Sequence, residues 1–221
     1  MKRYLSLFSL ALLHTLVDAS ALLVSPVWND ITSTCQLTGL GLWFVMLAQS
    51  LPTSLSQGVF GYLRDRRRLR WLIWSSPLLA AICLTAVGPA AGPGRSFAIS
   101  MLFIVGGVAV GAFHPEAAVT AGQLLPNNRT RSLSIFMLGG SCGLTLDPLI
   151  SGAVVREWGL EGLIYLLPGF LVLVPILAMG VRGKEQGDVS EATNLPRAGL
   201  REMFSGRIGL AGAVLAVCSL R

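Results

Sequence analysis

The chain has 221 residues, of which 53% are hydrophobic and only 13% charged, with a net charge of +6 and a mean hydropathy of +0.67. Soluble globular domains carry roughly a quarter of their residues charged, so this composition excludes a water-soluble fold around a single core. The basic excess does not indicate nucleic acid, because the lysines and arginines cluster at the ends of apolar segments, as topology signals do.

In chain order, apolar runs long enough to cross about 30 Å of hydrocarbon as helices fall at about 4–28, 37–63, 71–91, 96–124, 132–155 and 160–181. They predict an all-α membrane protein, with a six-helix transmembrane bundle over residues 1–182. The first run begins after Lys2-Arg3 and reaches Ala19-Ser20-Ala21, the outline of a cleavable signal peptide. Asp18 interrupts that run, and apolar character continues to Trp28, so we read it as a retained span.

Residues 183–205 are polar, mix both charge signs with Gly and Pro, and read as a cytoplasmic linker. A seventh apolar run begins near Ile208 and stops with the chain at Arg221, so 206–221 reads as the truncated start of a second bundle. Six spans, a linker and a new span match the first half of a twelve-span plan. The chain is therefore expected to be incomplete or inactive alone, or to assemble with a second half or another copy of itself.

Sidedness follows from the basic residues. Lys2 and Arg3, the five arginines of 64–70, Arg129 and Arg131, and five more between 182 and 207 fall on the N-terminal side, against Arg95 and Arg156 opposite. That bias places the N-terminus in the cytoplasm of a multi-pass inner (plasma) membrane protein.

No enzyme chemistry is legible. Cys35, Cys83, Cys142 and Cys218 are scattered without metal-ligand or redox spacing, and HExxH and GxSxG are absent. The expectation is no catalytic residue, no metal and no cofactor.

The polar residues inside apolar runs carry the functional signal, since ionisable groups are costly in a bilayer. His14 and Asp18 stand four apart on the first span, on one helix face near the membrane middle. Two readings fit: a proton-carrying pair, or a hydrogen-bonded pair that locks helices together. His114-Pro115-Glu116 interrupts the 96–124 run; the proline frees a backbone acceptor where two titratable side chains project, which predicts a broken helix at a midplane site. Gly107 and Gly111 just before it form a GxxxG packing face. The remaining reading of this triplet is a kink whose polar groups are satisfied by neighbouring helices. The run Gly61-Tyr62-Leu63-Arg64-Asp65-Arg66-Arg67-Arg68 between the second and third spans joins a carboxylate at a helix end to a basic loop.

Gly61, Leu63, Asp65 and Arg66 match the G-x-L-x-D-R signature of the major facilitator superfamily, although Arg68 and Leu69 replace its later glycine and arginine. His14, Asp18, His114-Pro115-Glu116-Ala117, Arg131-Ser132-Leu133-Ser134-Ile135-Phe136 and the glycines Gly139, Gly140 and Gly143 resemble, more narrowly, the fosmidomycin-resistance group of bacterial drug exporters, over nearly all of 1–182. One departure is Asp147-Pro148, where that group ends its glycine-rich fifth span with Gly-Pro.

The resemblance implies a secondary active antiporter that exports a small molecule, such as a drug, by alternating access coupled to protons. It implies proton coupling by Asp18 and Glu116 with His14 and His114, substrate contacts from His114, Glu116 and Arg131, and a gate latch of Gly61, Asp65 and Arg66. Gly107, Gly111, Gly139, Gly140, Gly143 and Pro148 are assigned to helix packing. The four ionisable side chains at 14, 18, 114 and 116 are expected to converge on one wet pocket. The competing expectation is a non-transporting membrane scaffold.

Overall fold

The computed structural model describes residues 2–181; the expected linker and the start of a second bundle lie outside the described residues. The elements are α1 (Lys2–Leu22), α2 (Trp28–Thr34), α3 (Gly39–Arg66), α4 (Leu72–Thr85), α5 (Val87–Ala90), α6 (Ser96–Leu124), α7 (Arg129–Trp158) and α8 (Leu167–Gly180). Short 3-10 segments, Pro126–Asn128 and Leu160–Leu166, lead into α7 and α8. No strand occurs among the described residues.

Five helical stretches are long and apolar enough to cross a membrane: Lys2–Leu22, Leu72–Ala90, Ser96–Leu124, Pro126–Trp158 and Leu160–Gly180. The remaining expected span is α3, whose 28 residues reach about 42 Å. It differs in apolarity rather than length, because Gln49, Ser50, Thr53, Ser54, Ser56 and Gln57 occupy its middle. The first expected span also runs too far: the helix stops at Leu22, and the apolar residues that follow turn into α2.

Hydrogen bonds join the helices at both ends of the bundle. At the N-terminal end, Ser6 Oγ of α1 donates to the Gly180 carbonyl of α8 at 2.8 Å, and Ser132 Oγ of α7 donates to the Ala121 carbonyl of α6 at 2.5 Å. At the other end, the Gly92 N–H meets Cys35 Sγ at 3.4 Å.

α1 packs chiefly on α7, α3 on α6, and α4 on α6 and α8. On α1, Leu7, Leu10, His14 and Val17 follow helical spacing and are buried, while Leu5, Phe8 and Leu12 face outward. An apolar outer face is what a bilayer requires, because lipid contact carries no penalty for Leu or Phe. Phe103, Phe113 and Phe136, from α6 and α7, fill the centre beside Leu7, Leu10 and Leu13.

Small residues set the closest helix contacts. A Cβ on Gly139 would strike the Ala11 backbone, and one on Gly143 would strike the Thr15 carbonyl, so this face lets α7 press directly against α1. Gly107 and Gly111 do the same for α6 against Thr53 and Ser56 of α3. The GxxxG face therefore serves one helix pair and the α7 glycines another. Pro148 lies half-buried inside α7, which continues through it.

The expected break at Pro115 does not occur: α6 is continuous from Ser96 to Leu124. The proline omits a single backbone bond, and His114 Nδ1–H turns back to the Val110 carbonyl at 2.8 Å, adding a side-chain bond along the same turn.

Candidate functional site: an intramembrane His-Asp-His cluster

Three of the four expected ionisable residues meet. From α6, His114 Nε2 lies 3.1 Å from Asp18 Oδ1; from α1, His14 Nε2 lies 3.2 Å from Asp18 Oδ2. The two imidazole rings stand edge to face, with centroids 5.1 Å apart. One carboxylate thus bridges two histidines that are 100 residues apart in the chain, and the α1–α6 crossing closes the cluster.

The histidines are held from behind. His14 Nδ1 is 2.9 Å from the Phe136 carbonyl, and its ring stacks on the Phe136 ring at 4.1 Å. His114 Nδ1 faces the Val110 carbonyl. A carbonyl only accepts, so both Nδ1 atoms carry the proton, and the tautomer follows from that partner. Each Nε2 is then a lone pair in the neutral ring and a donor only in the imidazolium. The number of protons on the two Nε2 atoms therefore sets the charge of the cluster.

The cluster has room because α7 presents glycine to it. A Cβ on Gly140 would sit 2.6 Å from Asp18 Oδ2 and 2.6 Å from His14 Cε1. The His14 side chain is almost fully enclosed at 3% exposure, whereas those of Asp18 and His114 keep 13% and 23%. The site is thus sealed on the α7 side and reachable past Asp18 and His114.

Glu116 does not join it, which corrects the expected four-residue pocket. Two positions after His114, its side chain leaves α6 in another direction and is buried against the end of α3. Its Oε2 lies 3.5 Å from Arg64 Nε and accepts the Leu69 N–H at 3.3 Å, so it ties α6 to the basic loop. Arg64 had counted in the sequence only as a topology charge; a basic residue one turn before the end of α3 carries no sign of an intramembrane partner. Of the expected latch, Asp65 and Arg66 are exposed and Gly61 has open space where a side chain would go. Asp65 has no ion pair among the described residues, and the Arg66 guanidinium lies over the Tyr62 ring at 4.1 Å. Arg131 is exposed near Tyr4, with its guanidinium 5.9 Å from that ring, well away from the histidines.

Asp147 does not face lipid. It lies on the buried stripe of α7 with Gly140, Gly143 and Ser151, is 2% exposed, and its Oδ2 has no hydrogen-bond partner among the described residues. A buried polar atom left unpaired costs about 1–3 kcal/mol. Asp147→Ala is therefore expected to raise the melting midpoint of the detergent-solubilised protein, by about 1 kcal/mol or more in stability. A lowered midpoint would reveal a partner for this carboxylate.

Comparisons with known proteins agree with this architecture. The chain is 26% identical over 170 residues to the fosmidomycin resistance protein of Escherichia coli (strain K12), covering 77% of this chain and 41% of that protein. It is 26% identical over 171 residues to the multidrug resistance protein MdtG of Serratia proteamaculans (strain 568), covering 74% and 40%. It is 25% identical over 164 residues to the uncharacterized MFS-type transporter YfnC of Bacillus subtilis (strain 168), covering 73% and 39%. The chain thus spans about two fifths of the length of these relatives. Residues 7–220 match the Major Facilitator Superfamily profile, and with its long apolar helices this multi-pass membrane protein belongs to that superfamily.

Proposed function

We propose that this bundle is one half of a proton-coupled exporter of a small molecule, with the His14-Asp18-His114 cluster as its proton-carrying site. The observation that supports the reading most is a carboxylate shared by two histidines inside the bundle, whose charge changes by one with each proton on an Nε2. A buried group whose charge changes favours one surrounding over another, so protonation and cargo binding can drive opposite orientations of an alternating-access carrier. A coupling of 1–3 kcal/mol corresponds to about 5–150-fold in affinity, enough for exchange.

The transport unit combines this bundle with a second one, supplied by further chain, a separate polypeptide or a second copy. The N-terminus lies in the cytoplasm, so the basic loop after α3 and Arg131 line the cytoplasmic mouth, where Arg131 meets anionic cargo. The Glu116–Arg64 contact braces that loop, and Gly61, Asp65 and Arg66 present it to the second bundle. The names of two relatives suggest drugs as cargo, and fosmidomycin is the first probe.

The test is drug-dependent proton movement in everted membrane vesicles that contain the protein with its second half. Fosmidomycin is expected to dissipate an imposed pH gradient, and Asp18→Asn or His114→Asn to reduce that flux about tenfold or more. Unchanged flux in both variants would remove the cluster from coupling. Absence of flux in the unaltered carrier would favour the scaffold reading.

A further inference from the structure

We infer that His14 Nε2, the Asp18 carboxylate and His114 Nε2 form a binding site for a borderline divalent cation of the Zn2+ and Co2+ class. The inference stands on the geometry of the cluster alone and goes beyond the exporter reading, which uses the same residues for protons.

The hydrogen bonds behind the rings fix where their free nitrogens point. Both Nδ1–H groups are committed to backbone carbonyls, of Phe136 at 2.9 Å and of Val110 at 2.8 Å. In the neutral rings this aims two Nε2 lone pairs at the oxygens of one carboxylate, acceptors facing acceptors, and only a positive species among them relieves that arrangement. An outer Nδ1–H···O=C bond is also the feature that fixes the orientation of a metal-ligating histidine and raises its basicity. Two imidazoles with one carboxylate suit Zn2+ or Co2+ rather than Mg2+ or Ca2+, which prefer all-oxygen shells.

The distances fit. Ligands bound at about 2.0–2.1 Å around a tetrahedral ion lie about 3.3–3.4 Å apart. The two histidine–carboxylate edges are 3.1 Å to Oδ1 and 3.2 Å to Oδ2, so Asp18 turns one oxygen to each ring. With one Asp18 oxygen taken as ligand, all three ligand atoms fall within 4.8 Å of one another, so no pair needs to close by more than about 1.5 Å. Gly140 keeps a side chain out of the cluster, since a Cβ there would sit 2.6 Å from Asp18 Oδ2. No lysine or arginine among the described residues pairs with Asp18, so no fixed cation competes for the site. The partial exposure of Asp18 and His114 leaves an entry path and a fourth coordination position for water.

The experiment uses the full, tag-free chain in detergent micelles, titrated with Co2+ and followed by ligand-field absorption and metal analysis. We expect one Co2+ per chain, displaced by Zn2+ and not by Mg2+, with His14→Asn and His114→Asn each weakening binding at least about tenfold. Asp30→Asn, an exposed carboxylate outside the cluster, leaves binding unchanged. No saturable uptake by the unaltered chain, or binding that survives loss of both histidines, overturns the site. A second measurement needs no variant, because His14 and His114 are the only two histidines in the chain. Zn2+ is expected to protect them from diethylpyrocarbonate, and equal modification with and without Zn2+ also overturns the site. A chain that binds Co2+ without moving drug keeps this site and loses the exporter reading; one that exports drug without binding metal does the reverse.

Discussion

Gly143→Val and Gly139→Val are expected to be among the most destabilising single changes in the bundle. A side chain at either position meets backbone of α1, the Thr15 carbonyl in one case and Ala11 in the other, and backbone cannot turn aside as a flexible side chain can. Overpacking a close contact costs about 1–3 kcal/mol, and a fixed obstacle puts these two at about 3 kcal/mol or beyond. The reading is the melting midpoint of the purified protein in detergent, with protease resistance of the α1–α7 pair as a second probe. Gly152→Ala, on the same helix with open space around it, is the control; it is expected to be neutral or to stabilise by up to about 1 kcal/mol. Equal effects at 143 and 152 would mean that α7 does not pack on α1 through its glycines. Gly140→Val separates packing from site, because its obstacles are Asp18 and His14 side chains that can move, at the expense of the cluster.

Glu116→Ala is expected to cost about 2–4 kcal/mol, because it leaves the Arg64 guanidinium, only 15% exposed, without its carboxylate and the Leu69 N–H without its acceptor. Arg64 Nε makes no hydrogen bond among the described residues and meets Glu116 as an ion pair. Arg64→Met removes the opposite partner. A double-mutant cycle on denaturation midpoints should return a coupling of about 1–3 kcal/mol. Asp65→Asn, exposed and without an ion pair among the described residues, is expected to stay within about 0.5 kcal/mol. A cycle that sums to zero would mean that Glu116 and Arg64 are neighbours without mutual stabilisation.

Gly139, Gly140 and Gly143 entered as packing residues through the family resemblance, and residues three and four apart share a helix side. Which helix they meet was not legible, because spacing names a face and not its neighbour. Glu116 was legible as an intramembrane ionisable group, and adjacency to His114 suggested a common site. On a helix, however, two residues apart means about 200° of rotation, so the two side chains point away from each other. The local period already opposed that grouping. The break expected at Pro115 failed for another reason: one missing backbone bond is a small loss in a helix of 29 residues clamped by α3 and α4.

Asp147 follows the same division. In the sequence it was only a departure from the family pattern, and the register of α7 places it, since positions 140, 143, 147 and 151 share the stripe that faces inward.

Hydropathy by itself determined the class, the helical spans and their approximate limits, because a bilayer demands long apolar helices and penalises charge, and those demands act on each segment separately. The pairing of His14 with Asp18 was equally local, four residues along one helix. Only the tertiary structure decided that His114 completes the cluster, that Glu116 leaves it for Arg64, and that Gly140 makes space for it. Those contacts join residues far apart in the chain, and the packing of α1, α6 and α7 sets them rather than any pattern within one segment.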